Sequence, residues 1–119
     1  MGLFNVRVSI LNPAQPGRKR ELDLLVDTGS LFTWVPEPLL EEIGITPAQT
    51  RQFRTITGAF IERRIGIAVV VWDGRIGAMN VVFGEQGDRA VLGVTALESL
   101  SVTADPVERV LVPVVSLAV

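Results

Sequence analysis

Residues 24–36 read LLVDTGSLFTWVP, and one residue in that stretch is out of keeping with its neighbours. Asp27 ends an apolar run, and the chain turns at once through Thr28, Gly29 and Ser30 before apolar sequence resumes at Leu31. Asp-Thr-Gly alone suits an ordinary exposed turn, in which the carboxylate accepts backbone hydrogen bonds and glycine supplies a positive φ. The flanks change that reading. Leu22, Leu24 and Val26 precede the turn and Leu31, Phe32, Trp34 and Val35 follow it, so both arms are core-like and the tip is partly shielded from water. Shielding raises the cost of a charge on Asp27. Compensation is at hand in the backbone N–H groups of Gly29 and Ser30, the Ser30 hydroxyl, and Thr28 with its hydroxyl on a β-branched anchor.

Outward from the turn the pattern is mainly β. Residues 3–10 alternate, Phe4, Val6, Val8 and Ile10 against Leu3, Asn5, Arg7 and Ser9, the period of a half-buried strand. NPAQPGRK, residues 12–19, breaks the alternation and predicts a hairpin connection into a second strand over 21–26. Residues 31–35 predict a third strand. In PEPLLEEIGI, residues 36–45, Pro38 suits a first helical turn, Glu37 its positive end and Gly44 its close, which predicts a short helix. Long hairpins follow: a strand over 51–56, a turn at Thr57 and Gly58, a strand over 60–72, an Asp73-Gly74 turn and a strand over 75–83. GEQGD, residues 84–88, is a polar loop. AVLGVTALESLSV, residues 90–102, runs from a short strand through Gly93 into a helix, with Thr95 and Glu98 spaced as a capping box. The tail ERVLVPVVSLAV, residues 108–119, is strand-like, and Pro113 predicts an edge or interrupted strand. With no repeat or linker, 119 residues predict a single mainly β domain over 1–119 with one or two short helices.

Composition narrows the chemistry. There is no Cys, hence no disulfide, thiol nucleophile or thiolate metal site, and no His, hence neither the usual general base nor the commonest metal ligand. The sole lysine, Lys19, lies between Arg18 and Arg20 and reads as solvated turn surface. No acids cluster at metal-ligand spacing, so no metal and no cofactor are expected. A net charge of -2 without a basic stripe, and only five Phe, two Trp and no Tyr, argue against nucleic acid. The longest unbroken apolar run, residues 67–72, is far too short to span a bilayer, so no membrane partner is expected. The first residues lack the pattern of a secretory signal, so the expected location is the cytoplasm. Any catalysis falls to carboxylates.

LLVDTGS, followed some sixty residues later by AVLGV and a short helix, resembles the retropepsin-like aspartic proteases, the single-lobed relatives of pepsin found in retroviruses and in some bacterial and archaeal proteins. The resemblance spans most of the chain and suggests a prokaryotic member of that family. It implies a closed β-barrel of the acid-protease type and a homodimeric endopeptidase acting on a peptide or protein substrate. Asp27 would be the catalytic residue, with Thr28, Gly29 and Ser30 as its support. By the family pattern Thr28 grips its counterpart across the two-fold axis and Ser30 holds the carboxylate from outside. Val91, Leu92 and Gly93 would pack on the active-site turn. FRTITGAFIER, residues 53–63, would be a flap over the substrate, with Ile56, Thr57, Gly58 and Ala59 in contact and Gly58 at the tip. That segment lacks the tyrosine familiar in two-lobed pepsins, which leaves the Gly58 backbone amides as the expected polar contacts.

The chemistry explains why such a chain would pair with itself. Peptide hydrolysis by this route needs one carboxylate to accept a proton from water and another, still protonated, to donate one to the scissile carbonyl. Two Asp27 side chains about 3 Å apart cannot both ionise easily and so share one proton. The uncharged end of the chain, from Val110 on, would leave an apolar edge that a partner covers, and the resemblance implies chain termini interleaved in a shared sheet, which this tail and the apolar Gly2 to Phe4 would suit. Asp23 shares Asp27's face, but four residues at a rise of about 3.3 Å put it roughly 13 Å away, so it reads as surface. Glu62, Arg63 and Arg64 read as a solvated face, Glu41 and Glu42 as solvent-facing, and Trp34 and Trp72 as packing or interface residues. Two rival readings stand beside it: a non-catalytic homodimeric peptide-binding or assembly domain in which Asp27 serves as a turn residue, and a monomeric fragment of a larger complex.

Overall fold

Alternating apolar residues on long strands need a second layer to cover them, and the chain provides it by closing its main sheet on itself. The computed structural model describes residues 2–115 and residue 118. Along them run β1 (Gly2–Asn12), β2 (Gln15–Asp27), β3 (Thr33–Pro36), α1 (Glu37–Glu42), β4 (Gln49–Arg54), β5 (Phe60–Trp72), β6 (Arg75–Gly84), β7 (Val91–Leu92), α2 (Val94–Ser99), β8 (Val102–Asp105) and β9 (Val110–Pro113). Seven strands form one sheet in the order β1-β2-β7-β3-β6-β5-β4, and β1 also pairs with β5 through Ser9–Val71, Ile10–Val70 and Leu11–Val69. That extra pairing brings the sheet back on itself and encloses Val8, Ile10, Leu24, Val26, Val35, Val70, Val81, Phe83 and Leu92, all essentially inaccessible to water. No helix among the described residues is long and apolar enough to cross a membrane.

Several predicted elements stand as read. β5 runs over Phe60–Trp72, and the Asp73-Gly74 turn after it has φ of 48° and 76°, the left-handed pair a two-residue hairpin requires. α1 follows Pro36 and is closed by Gly44 at φ 80°. Other boundaries moved for physical reasons. The predicted connection over 12–19 is not a loop: β2 already begins at Gln15, and the turn is confined to Pro13 and Ala14. Asn12 closes it, its Oδ1 accepting from the N–H groups of Ala14 (2.9 Å) and Gln15 (3.2 Å) while its Nδ2 donates to the Ile43 carbonyl (3.0 Å). A register shift between Leu11 and Asn12 absorbs the extra residues opposite, including Pro16, which has no N–H to give a ladder.

The third strand starts at Thr33 rather than 31, because the carbonyls of Ser30 and Leu31 accept from Val94 N–H (2.8 Å) and Thr95 N–H (3.3 Å) instead of joining a ladder. β4 spans 49–54 rather than 51–56, leaving Ile56 in the turn. The capping box does not form: the residue before α2 is Gly93, extended at φ -86°, and the Thr95 hydroxyl donates to the Leu31 carbonyl at 2.6 Å. β8 has no counterpart in the sequence reading. It pairs antiparallel with β9, so the start of the apolar tail is held by its own chain, with Leu111 buried, while Val114 and Val115 are exposed. Residues 116, 117 and 119 of that tail lie outside the described residues.

Asn12 joins the β1–β2 turn to the end of α1 from a buried position. Asn12→Ala is expected to lower unfolding free energy by about 1–3 kcal/mol, since it strands buried partners, and urea unfolding of the variant beside the parent measures it.

Candidate active site

β2 carries Asp27 at its last position, one residue beyond the fully buried Val26. Buried Leu24 and Val26 anchor the strand, and the turn then folds tightly: Ser30 N–H donates to the Asp27 carbonyl (3.1 Å) and Gly29 N–H donates to Asp27 Oδ1 (2.9 Å). Thr28 and Gly29 are exposed, and Asp27 is half-buried. The Ser30 hydroxyl donates to the Phe32 carbonyl at 2.7 Å, which braces the far arm of the turn.

Both arms are held apart and fixed by residues 91–95. β7 pairs parallel with β2 through Leu25–Val91 and Val26–Leu92, and antiparallel with β3 through Trp34–Val91. It is therefore a wedge between the strand entering the turn and the strand leaving it. Gly93 N–H donates to Oγ1 of the fully buried Thr33 at 3.0 Å. A Cβ at Gly93 would lie 2.3 Å from the Phe32 carbonyl oxygen and 2.9 Å from that of Ser30, so only glycine fits. The structure thus brings Val91 and Leu92 beside Leu25 and Val26, which lead into the turn, and Gly93 against Ser30 and Phe32, which leave it. Sequence reasoning missed Thr33, whose signal was a lone polar residue inside an apolar strand.

The Asp27 carboxyl is held below its ordinary value. Burial pushes it up, but hydrogen bonding, including that from Gly29 N–H, and nearby positive charge, including that of Arg89, outweigh burial. Asp27 faces a cleft of about 940 Å³. One wall is aromatic, with Phe53 edge-on to Phe32 at 6.0 Å and tilted against Trp34 at 5.0 Å. The β4–β5 hairpin overhangs it. Ile56 and Thr57 line the cleft, whereas Gly58 and Ala59 shape the tip. Gly58, at φ 88°, donates its N–H to the Thr55 carbonyl (2.9 Å), and Thr55 N–H donates to the Ala59 carbonyl (2.8 Å). The expected free amide at Gly58 is therefore engaged inside the turn, and Ile56, fully exposed, is the side chain the hairpin presents.

The opposite wall rests on an ion pair that the sequence reading placed in solvent. Arg63 donates from Nε to Asp88 Oδ2 (2.7 Å) and from Nη2 to Oδ1 (3.1 Å), and Asp88 Oδ2 also accepts Glu85 N–H (2.8 Å). Their side chains are only 14% and 16% exposed. Hydrogen bonding from Arg63 pulls the Asp88 carboxyl below its ordinary value against the effect of burial. Arg64 likewise reaches Glu37 (3.1 Å) and Glu41 (3.5 Å) and lies over the Phe83 ring, while Arg20 pairs with Glu42. Asp23 is on the surface beside Arg7, as expected, and Trp72 packs on the core.

Residues 6–96 match the family model described as aspartyl protease, and the chain belongs to that family. Its fold is retropepsin-like: the chain is similar to the solution structure of the Simian Foamy Virus (mac) protease, with a TM-score of 0.55 and 22% identity over 79% of this chain and 91% of that one. Among curated proteins none matches.

Gly93→Ala is expected to cost about 1–3 kcal/mol through the clash with Phe32 and Ser30, whereas Gly17→Ala, which meets nothing within 4 Å, is expected to cost far less; chemical denaturation compares the two. For Asp88 the folded pKa lies below the ordinary 3.8, so its contribution is complete above that value and is lost as pH falls through the lower one. Asp88→Asn is expected to be less stable near neutrality by about 2 kcal/mol and to lose less stability between pH about 5 and 2, followed by unfolding at each pH.

Proposed function

We propose that this chain is an endopeptidase that works as a homodimer, in which one Asp27 from each protomer activates water between them. The observation that supports this best is the placement of Asp27: half-buried, fixed by Gly29 N–H, and opening on a cleft large enough for several peptide residues. A single carboxyl held below its ordinary range is an anion near neutrality. It can accept a proton but has none to give. A second Asp27 across a two-fold axis supplies the missing acid, because mutual repulsion raises one of the two values and leaves one proton between them. The ionised Asp27 then takes a proton from water as its oxygen attacks the scissile carbonyl carbon. The protonated Asp27 gives its proton to the carbonyl oxygen, and collapse of the tetrahedral adduct, with proton delivery to the amide nitrogen, releases the two fragments.

Partner and approach have structural support as well. Leu31, beside the turn, is 58% exposed, and Thr28 next to Asp27 is exposed, so the active-site turn presents both an apolar side chain and a hydroxyl to a facing copy. The overhanging β4–β5 hairpin would close over a bound peptide, with Ile56 as its apolar contact.

Asp27→Asn is expected to form the same dimer and to lose at least about 10³-fold in kcat/KM for peptide cleavage. The parent should show a bell-shaped pH profile and bind a hydroxyl-bearing transition-state mimic, and its activity per chain should fall on dilution below the dimer dissociation constant. Cleavage by Asp27→Asn at the parent rate would sink the mechanism.

A further inference from the structure

The cleft is lined by three guanidinium groups that no ion pair among the described residues engages. Arg51 and Arg54 on the hairpin side and Arg89 on the opposite wall all line it and are exposed. Most arginines elsewhere are committed: Arg7, Arg20, Arg63 and Arg64 sit on carboxylates, and Arg18 and Arg75 donate to backbone carbonyls, while the exposed Arg109 does not line the cleft. Among the described residues none of Arg51, Arg54 and Arg89 forms an ion pair. Arg51 and Arg54 instead lie over aromatic rings, 5.2 Å from the Phe32 centroid and 5.0 Å from that of Phe60. A guanidinium stacked on a ring keeps its N–H edge for a carboxylate and has already lost much of its rotamer freedom.

Two acids share the cleft with these three arginines: Asp88 is already bound by Arg63, and Asp27 feels the charge of Arg89, so one anion faces three guanidinium groups. A chain of net charge -2 therefore concentrates positive charge around its substrate channel, and a two-fold copy would double it. Arg89 is delivered there by a wall with its own anchor, because the Arg63–Asp88 pair and the Glu85 N–H hold the loop that ends at this residue.

We propose that the cleft selects peptides with Asp or Glu close to the scissile bond, recognised by Arg51, Arg54 and Arg89, an inference that rests on the peptidase reading above. Arg63 and Asp88 are positioning residues for Arg89. Three partly exposed charge pairs set the scale of the effect: each is worth a few-fold at moderate salt, and together about tenfold.

The test uses the full chain and two peptides that differ only in Glu or Gln beside the cleaved bond, at a pH of about 6, where a free Glu is ionised. Cleavage is measured with the parent, and binding with Asp27→Asn by fluorescence anisotropy. The parent is expected to cut the Glu peptide about tenfold better, with the ratio shrinking in 0.5 M salt. Arg89→Gln and Arg54→Gln should each lower that ratio about 2- to 5-fold, and Arg89→Glu should shift preference towards a Lys peptide. Asp88→Asn should lower the ratio too, while Asp88→Glu restores part of it. Equal cleavage of both peptides, or a ratio unmoved in all the arginine variants, overturns the inference and leaves the peptidase reading standing. Acid-selective binding without cleavage does the reverse. Neither binding nor cleavage of either peptide overturns both.

Discussion

The backbone of residues 91–95, pressed between the two arms of the Asp27 turn, is the contact on which the rest of this molecule depends. A tight turn between apolar strands leaves carbonyls and a buried hydroxyl that have no ladder to join, and each unsatisfied group in a shielded place costs on the order of 1–3 kcal/mol. Here the Ser30 and Leu31 carbonyls accept from Val94 and Thr95, and Thr33 Oγ1 accepts from Gly93. The same contact that satisfies these groups sets the direction in which Asp27 leaves β2. Glycine at 93 is a steric requirement rather than a matter of φ, since its backbone is in an ordinary extended conformation.

From that fixed point the cleft is built by elements distant in sequence. The turn supplies its acid, Phe32 just before β3 together with Trp34 on β3 and Phe53 on β4 an aromatic wall, and the loop before β7 a second wall held by Arg63 on β5. The pair of Arg63 and Asp88 is buried enough to resist screening, so this wall is fixed by charge where the other is fixed by packing. At the tip of the hairpin above, the N–H groups of Gly58 and Ala59 are engaged internally, while Ile56 and the guanidinium groups of its first strand are exposed. Leu31 and Thr28 beside this turn are exposed.

How much of this was legible depended on the range of the interaction concerned. β5 and the Asp73-Gly74 turn were readable because period-two alternation and a left-handed turn are local properties. Asp27 and its turn stood out because a charge between two apolar arms is a local anomaly, and the apolar-apolar-Gly segment that meets it was legible through a family resemblance. Pro16 misled, since a proline and a glycine in sequence look the same in a loop and in a bulged, exposed strand. Thr95 and Glu98 have capping-box spacing, yet the Thr95 hydroxyl found a better acceptor 64 residues away in sequence. Arg63 in a charge run looked solvated, because nothing local announces that Asp88, 25 positions on, folds over it.

The sequence by itself determined a mainly β chain, the strand that ends in Asp27, the turn chemistry around it and the absence of His and Cys that leaves carboxylates as the available catalysts, because these follow from residue identity and periodicity. Tertiary structure alone decided where those strands meet: that Gly93 lies under Ser30 and Phe32, that Thr33 is a buried acceptor, that Arg63 locks a wall and that Arg51, Arg54 and Arg89 converge on one cleft. Such pairings depend on the closure of a sheet whose neighbours are far apart along the chain, and hydrogen bonds and ion pairs formed across that distance leave no period in the sequence.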